Sequence, residues 1–124
     1  MDGVERLYYA LGELAYAVAK ADGKVNIEER DKLHDLVVKG VKCHNSNLNI
    51  SEIIFHIHQK ERIFSVEDIY KSAMKEIELC SNYLTDDMKA EFGAVLEKVA
   101  RAFDSYTMDE RSVVERFRKD IDKL

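Results

Sequence analysis

An all-α bundle of about six helices is the fold this sequence predicts, and three observations predict it. The 124 residues include no proline and only five glycines, so the residues that most often break helices are nearly absent. Apolar residues recur at spacings of three and four along most of the chain. The stretch Val18 to Leu33 (VAKADGKVNIEERDKL) aligns without a gap on Val99 to Val114 (VARAFDSYTMDERSVV) at an offset of 81 residues, and each copy reads as helix, tight link, helix. Five positions are identical: Val18/Val99, Ala19/Ala100, Ala21/Ala102, Glu29/Glu110 and Arg30/Arg111. The chain reads as an internal duplication in one domain, 1–124, with repeat halves at about 1–42 and 86–124 and a diverged helical middle at 43–85.

In the first helix Val4, Leu7, Leu11, Leu14, Val18 and Ala21 line one face and run into an Asp22-Gly23 turn. Asn26, with Glu29 three residues on, forms a capping box that opens a second helix to about Val41, with Ile27, Leu33, Leu36, Val37 and Val41 inward. Lys42 to Ile50 is rich in Asn and Ser, lacks a period and reads as the longest loop. Ser51 precedes a short helix through Ile53, Ile54 and Ile57, and Ser65 a longer one through Val66, Ile69, Tyr70, Ala73, Met74 and Ile77. Thr85, followed by Asp86 and Asp87 in the first turn, caps a fifth helix with Met88, Phe92, Val95, Val99 and Ala102 inward. Thr107 and Glu110 repeat the capping box and open the last helix, through Val114, Phe117, Ile121 and Leu124. Two related helix pairs most simply pack against each other, with the middle segment closing the remaining side.

With 46% apolar residues the chain can bury a core without disulfide or metal staples. A formal charge of -5, from 24 acids and 19 bases with no block of one sign, leaves no basic footprint for nucleic acid. The N-terminal stretch carries Asp2, Glu5, Arg6 and Glu13 inside its apolar pattern, so it reads neither as a secretory leader nor as a spanning helix, and a soluble cytoplasmic protein is expected. Cys43 and Cys80 form no CxxC pair and read as reduced thiols partly buried in helices.

DGKVNIEE matches the back half of an EF-hand, with Asp22 fifth, Gly23 sixth and Glu29 twelfth in the loop. The first and third positions then fall on Val18 and Lys20, which supply no oxygen ligand, so the stretch is not an EF-hand. A hard cation can still gather Asp22 and Glu28 with carboxylates from another helix. The same acids beside a helix N-terminus are also explained by capping and the helix dipole. His56 and His58 point to different sides of a helix, Cys43-His44 has no partner at ligand spacing, and His34 reads as a surface or boundary residue. Tyr8 and Tyr9 cannot share a face, so a tyrosine on the first helix reaches the surface or a groove. Amphipathic anchoring, with rings in the core and hydroxyls in water, is the favoured reading of Tyr8, Tyr9 and Tyr16. No GxSxG, P-loop or dinucleotide fingerprint is present, so no enzyme is expected.

AVAKADGKVNIEERDKL, an Ala-rich helix ending in Ala-Asp-Gly with Asn-Ile-Glu-Glu opening the next, resembles the signature of the TerB-like family, and ARAFDSYTMDERSVV resembles its second repeat. That family includes tellurite-resistance TerB proteins and the N-terminal domain of membrane-anchored DnaJ-type co-chaperones. The resemblance implies a non-enzymatic helical domain in bacterial stress or toxic-ion response, beside a membrane-associated complex, presenting an acidic face to a protein partner. It also implies acidic candidates for a divalent metal such as calcium: Asp22, Glu28 and Glu29 in the first copy, Asp109 and Glu110 in the second. Phe103-Asp104 replaces Asp22-Gly23 in the second copy, so any such site is asymmetric. The alternative function is a calcium-like sensor or buffer built on the Asp22–Glu29 turn. A third reading is a homodimer that buries leftover apolar surface.

Overall fold

Five helices are delimited among the described residues: α1 (Gly3–Lys20), α2 (Ile27–Gly40), α3 (Val66–Leu79), α4 (Asp86–Ala102) and α5 (Met108–Ile121), with a 3-10 turn at Ser81–Tyr83 before α4. The computed structural model describes residues 3–21, 25–40, 56–57, 59, 64–102 and 108–124, the last from 111 on for side chains. Among the described residues the fold is all-α, with no strand. The expected short helix through Ile53, Ile54 and Ile57 falls largely outside them, although Ile57 is helical and fully buried. The Asp22-Gly23 turn, the 42–50 loop and the caps at Ser51 and Thr107 also lie outside the described residues.

Around α1 the other four helices are arranged, and α3 makes the most extensive contact with it. From Leu7 to Ala19 every residue of α1 except Tyr9 is buried. At about 100° per residue such a run covers the whole circumference of a helix, so α1 is an axis rather than an amphipathic surface helix. The sequence pattern showed only the stripe of large residues, Leu7, Leu11, Leu14 and Val18. The rest of the circumference is buried through Ala10, Gly12, Ala15, Ala17 and Ala19, small residues that let neighbouring helices approach, and through Glu13 and Tyr16 opposite the stripe. Glu13, 3% exposed, is the only charged residue buried among the described residues. Tyr16 is 1% exposed and lies wholly within the core rather than anchoring with its hydroxyl in water. The middle segment, through α3, is therefore the principal partner of α1 rather than a closing side.

The helix starts are set by local chemistry. At α2 the capping box is reciprocal: the Glu29 N–H donates to Asn26 Oδ1 at 2.8 Å, and the Asn26 N–H donates to Glu29 Oε1 at 3.2 Å. Ser65 Oγ accepts from the Asp68 N–H at 3.1 Å, and Thr85 Oγ1 from the Met88 N–H at 3.1 Å. Inward positions on α3 (Ile69, Tyr70, Ala73, Ile77), α4 (Phe92, Val95, Val99) and α5 (Val114, Phe117, Ile121) are buried as the periodicity predicts. On α2, Leu33 and Val37 are buried, but Ile27 is 65% exposed. It precedes Leu33 by six residues, about 120° away round the helix, and so points off the buried stripe. Cys80, at the C-terminal cap of α3, is a buried free thiol.

Lysines tie helix ends together: Lys20 Nζ donates to the Phe64 carbonyl, Lys32 Nζ to the Ala102 carbonyl at the end of α4, and Lys89 Nζ to the Leu124 carbonyl at 3.2 Å. A polar clamp joins α3 to α5. Arg116 donates through Nη1 to Glu67 Oε2 at 2.5 Å and through Nη2 to Glu67 Oε1 at 3.0 Å, a bidentate pair. Its guanidinium lies 4.0 Å from the centroid of the Tyr70 ring, and the Tyr70 hydroxyl donates to Asp120 Oδ2 at 2.5 Å. The hydrogen bond and charge of Arg116 hold the Glu67 carboxyl below its ordinary 4.5. Burial and the bond to Asp120 push the Tyr70 phenol well above its ordinary value.

Two outcomes follow for stability. Leu11→Ala, in the middle of the axis, should lower unfolding free energy by about 2–5 kcal/mol in urea denaturation. The lowered folded pKa of Glu67 contributes stability that is present above its ordinary 4.5 and lost as pH falls through the folded value. Glu67→Gln should therefore lower stability at neutral pH and flatten its fall in acid, as read from urea midpoints at several pH values.

Candidate functional site

Glu29 is the reciprocal partner in the α2 capping box, and Glu28, one residue earlier, is exposed to solvent. Asp22 lies outside the described residues, as do the side chains of Asp109 and Glu110, whose backbone opens α5. Among the described residues no group of three or more His, Cys, Asp or Glu side chains is placed to hold a metal ion. His34 Nδ1 lies 3.2 Å from Asp35 Oδ1, and exposed His56 sets its ring 6.0 Å from that of Tyr9. No helix among the described residues is long and apolar enough to cross a membrane.

Two surfaces stand out. The first is the outward side of α2. Burying Leu33 and Val37 turns Ile27, Asp31, His34 and Val38 outward at spacings of four, three and four, with Glu28 and Asp35 alongside. Ile27 is 65% and Val38 41% exposed, while Glu28, Asp31 and Asp35 are all exposed. Arg30 turns to Asp31, with Nη2 at 3.0 Å, and Lys32 reaches back to α4, which leaves Lys39 in the last turn as the cation of this helix that stands in solvent.

The second is a cleft of about 640 Å³ between α1, the end of α2 and one side of α4. Its lining on α4 is Asp87, Met88, Glu91, Ala94, Val95 and Lys98 with Ala90, a single helix face repeating every three to four residues. Tyr8 forms the α1 wall: its ring meets Phe92 edge-on at 5.5 Å, and its hydroxyl donates to Glu91 Oε1 at 3.3 Å. Gly40 brings α2 against the same helix, because a Cβ there would lie 2.7 Å from Val95 Cγ2. The cleft was not legible in the sequence. Its residues come from three helices, and the one signal was the pair Tyr8-Tyr9, of which one had to reach the surface or a groove.

Gly40→Ala should strain this wall. The overpacking against β-branched Val95 outweighs the gain in helix propensity, for a net loss of about 1 kcal/mol in urea denaturation. Gly40→Ala combined with Val95→Ala should show positive coupling in a double-mutant cycle, since the second change removes the clash. Compared with known proteins, the chain matches no family model, no curated protein and no solved structure.

Proposed function

We propose that this chain is a non-enzymatic, TerB-like interaction domain that presents the acidic outward face of α2 to a protein partner. The observation that carries the reading is the exposed pair Ile27 and Val38 set among Glu28, Asp31 and Asp35 on one helix face. Two large aliphatics in water along one stripe are what a helix shows when another surface covers it, and flanking carboxylates select a partner by charge and steer its approach. The core does not need this face, since Leu33 and Val37 already hold α2 against the bundle.

The duplication belongs to the same reading, and matched burial supports it. Val18 and Val99 are both fully buried, as are Ala19 and Ala100, while Ala21 and Ala102 are both half-buried, and Leu33 matches Val114 at 0% and 1%. Each copy spans the end of one helix and the start of the next, α1 to α2 and α4 to α5. The reading of no enzyme rests on the same ground as before: no nucleophile–base or phosphate-cradling motif occurs in the chain.

Photo-crosslinking tests the proposal. A benzoylphenylalanine placed at position 27 or 38 should give one defined protein adduct, and one at exposed Ser112 on α5 should not. The purified partner should bind more weakly to Glu28→Gln/Asp35→Asn, and its affinity should fall as salt rises. Equal adducts from all three positions, or salt-independent binding unchanged in the double variant, would sink the reading. An adduct with a second copy of the chain would replace it with self-association.

A further inference from the structure

The cleft between α1, α2 and α4 is separate from the outward face of α2, and its charges are ordered along its length. Asp87 and Glu91, one helical turn apart, stand at one end, and Lys98 stands at the other. Glu91 to Lys98 is seven residues, about 10 Å along the helix axis. Between them lie Met88, Ala94 and Val95, with the Tyr8 ring as the side wall. Asp87 and Lys98 have no ion pair or side-chain hydrogen bond among the described residues, and Glu91 has its single bond from the Tyr8 hydroxyl. Tyr8 is itself 6% exposed, so a buried ring holds that carboxylate in place.

We propose that this cleft binds a lysine-like zwitterion: a primary ammonium and a carboxylate at opposite ends of an aliphatic stem. The ammonium lies at Asp87 and Glu91, where two carboxylates offer charge-assisted hydrogen bonds. The stem lies over Met88, Ala94 and Val95, and the small side chain of Ala94 leaves room for it. The carboxylate lies toward Lys98. A plain fatty acid with its carboxylate at Lys98 gives Asp87 and Glu91 no ammonium to pair with, and a diamine meets Lys98 with its second ammonium. The volume falls within the range of sites that take small ligands. Two sources carry this chemistry, a free ω-amino acid and the C-terminal lysine of a polypeptide.

The test is an amide NMR titration of the full chain with 6-aminohexanoate, hexanoate and 1,6-diaminohexane. Saturable shifts centred on Tyr8, Glu91 and Lys98 are expected with 6-aminohexanoate, none with hexanoate, and weaker binding with the diamine. Glu91→Gln should weaken 6-aminohexanoate about tenfold, and Lys98→Met should remove the preference over the diamine. Glu78→Gln, at an exposed position on α3, should bind as the parent does. Should Glu91→Gln lose its helical circular dichroism, Ala94→Trp, at an exposed helix position, blocks the cleft instead and should abolish the shifts. A peptide ending in lysine, set beside its C-terminal amide, separates the sources. Tighter binding of the free-acid peptide than of 6-aminohexanoate identifies a chain terminus, and the reverse identifies a free amino acid. Absence of saturable shifts, shifts away from the cleft, or unchanged affinity in Glu91→Gln would overturn the proposal. None of these outcomes bears on the α2 crosslinks, so the two readings fail separately.

Discussion

Burial of α1 on every side is the constraint on which the remaining structure depends. A helix enclosed over its whole circumference needs partners at several angles, and α2, α3, α4 and α5 all pack against it. The alternation of Leu7, Leu11 and Leu14 with Ala10, Ala15 and Ala17 sets how closely each can approach. A volume change in α1 is therefore felt by several helices at once, whereas one on the outward side of α2 is felt by none. That difference explains why Ile27 and Val38 can stand in water without cost to the fold while Tyr16 cannot.

Helices that pack little on one another are joined by polar contacts. Arg116 grips Glu67 with two hydrogen bonds and lies on the Tyr70 ring, so α3 and α5 are joined by three side chains working as a unit. Lys20 and Lys32 donate to carbonyls just before α3 and at the end of α4. Both kinds of contact hold an angle between helices, which the non-directional burial of Ile69 or Phe117 does not.

What was legible in the sequence was local. Asn26 with Glu29, Ser65 and Thr85 announced three helix starts because a cap and its N–H partner lie within three residues of each other. The stripes of α3, α4 and α5 were legible because each buries one face. The full enclosure of α1 was not, because alanine and glycine carry too little hydropathy to mark a second buried side. Ile27 was misread because an aliphatic at the first turn of a helix has no preceding turn to fix its phase. The cleft was beyond reach: Tyr8 and Glu91 meet across 83 residues, and Asp87 and Lys98 on their own are ordinary charges on a helix surface. Of the acids that the sequence offered for a metal, Glu28 and Glu29 open α2 rather than line that cleft.

The central place of α1 has a consequence for synthesis. It leaves the ribosome before its partners do, and its contacts with α3, α4 and α5 wait for residues 66, 86 and 108 onward. At about 5–20 residues per second, a nascent chain carries an apolar helix with no core to enter for several seconds. Whatever shields Leu7 to Ala19 during that interval, a chaperone or a transient collapse onto the emerging middle, protects the segment whose early aggregation would cost the whole molecule. The helix most enclosed in the finished fold is thus the one that waits longest for its partners while the chain is made.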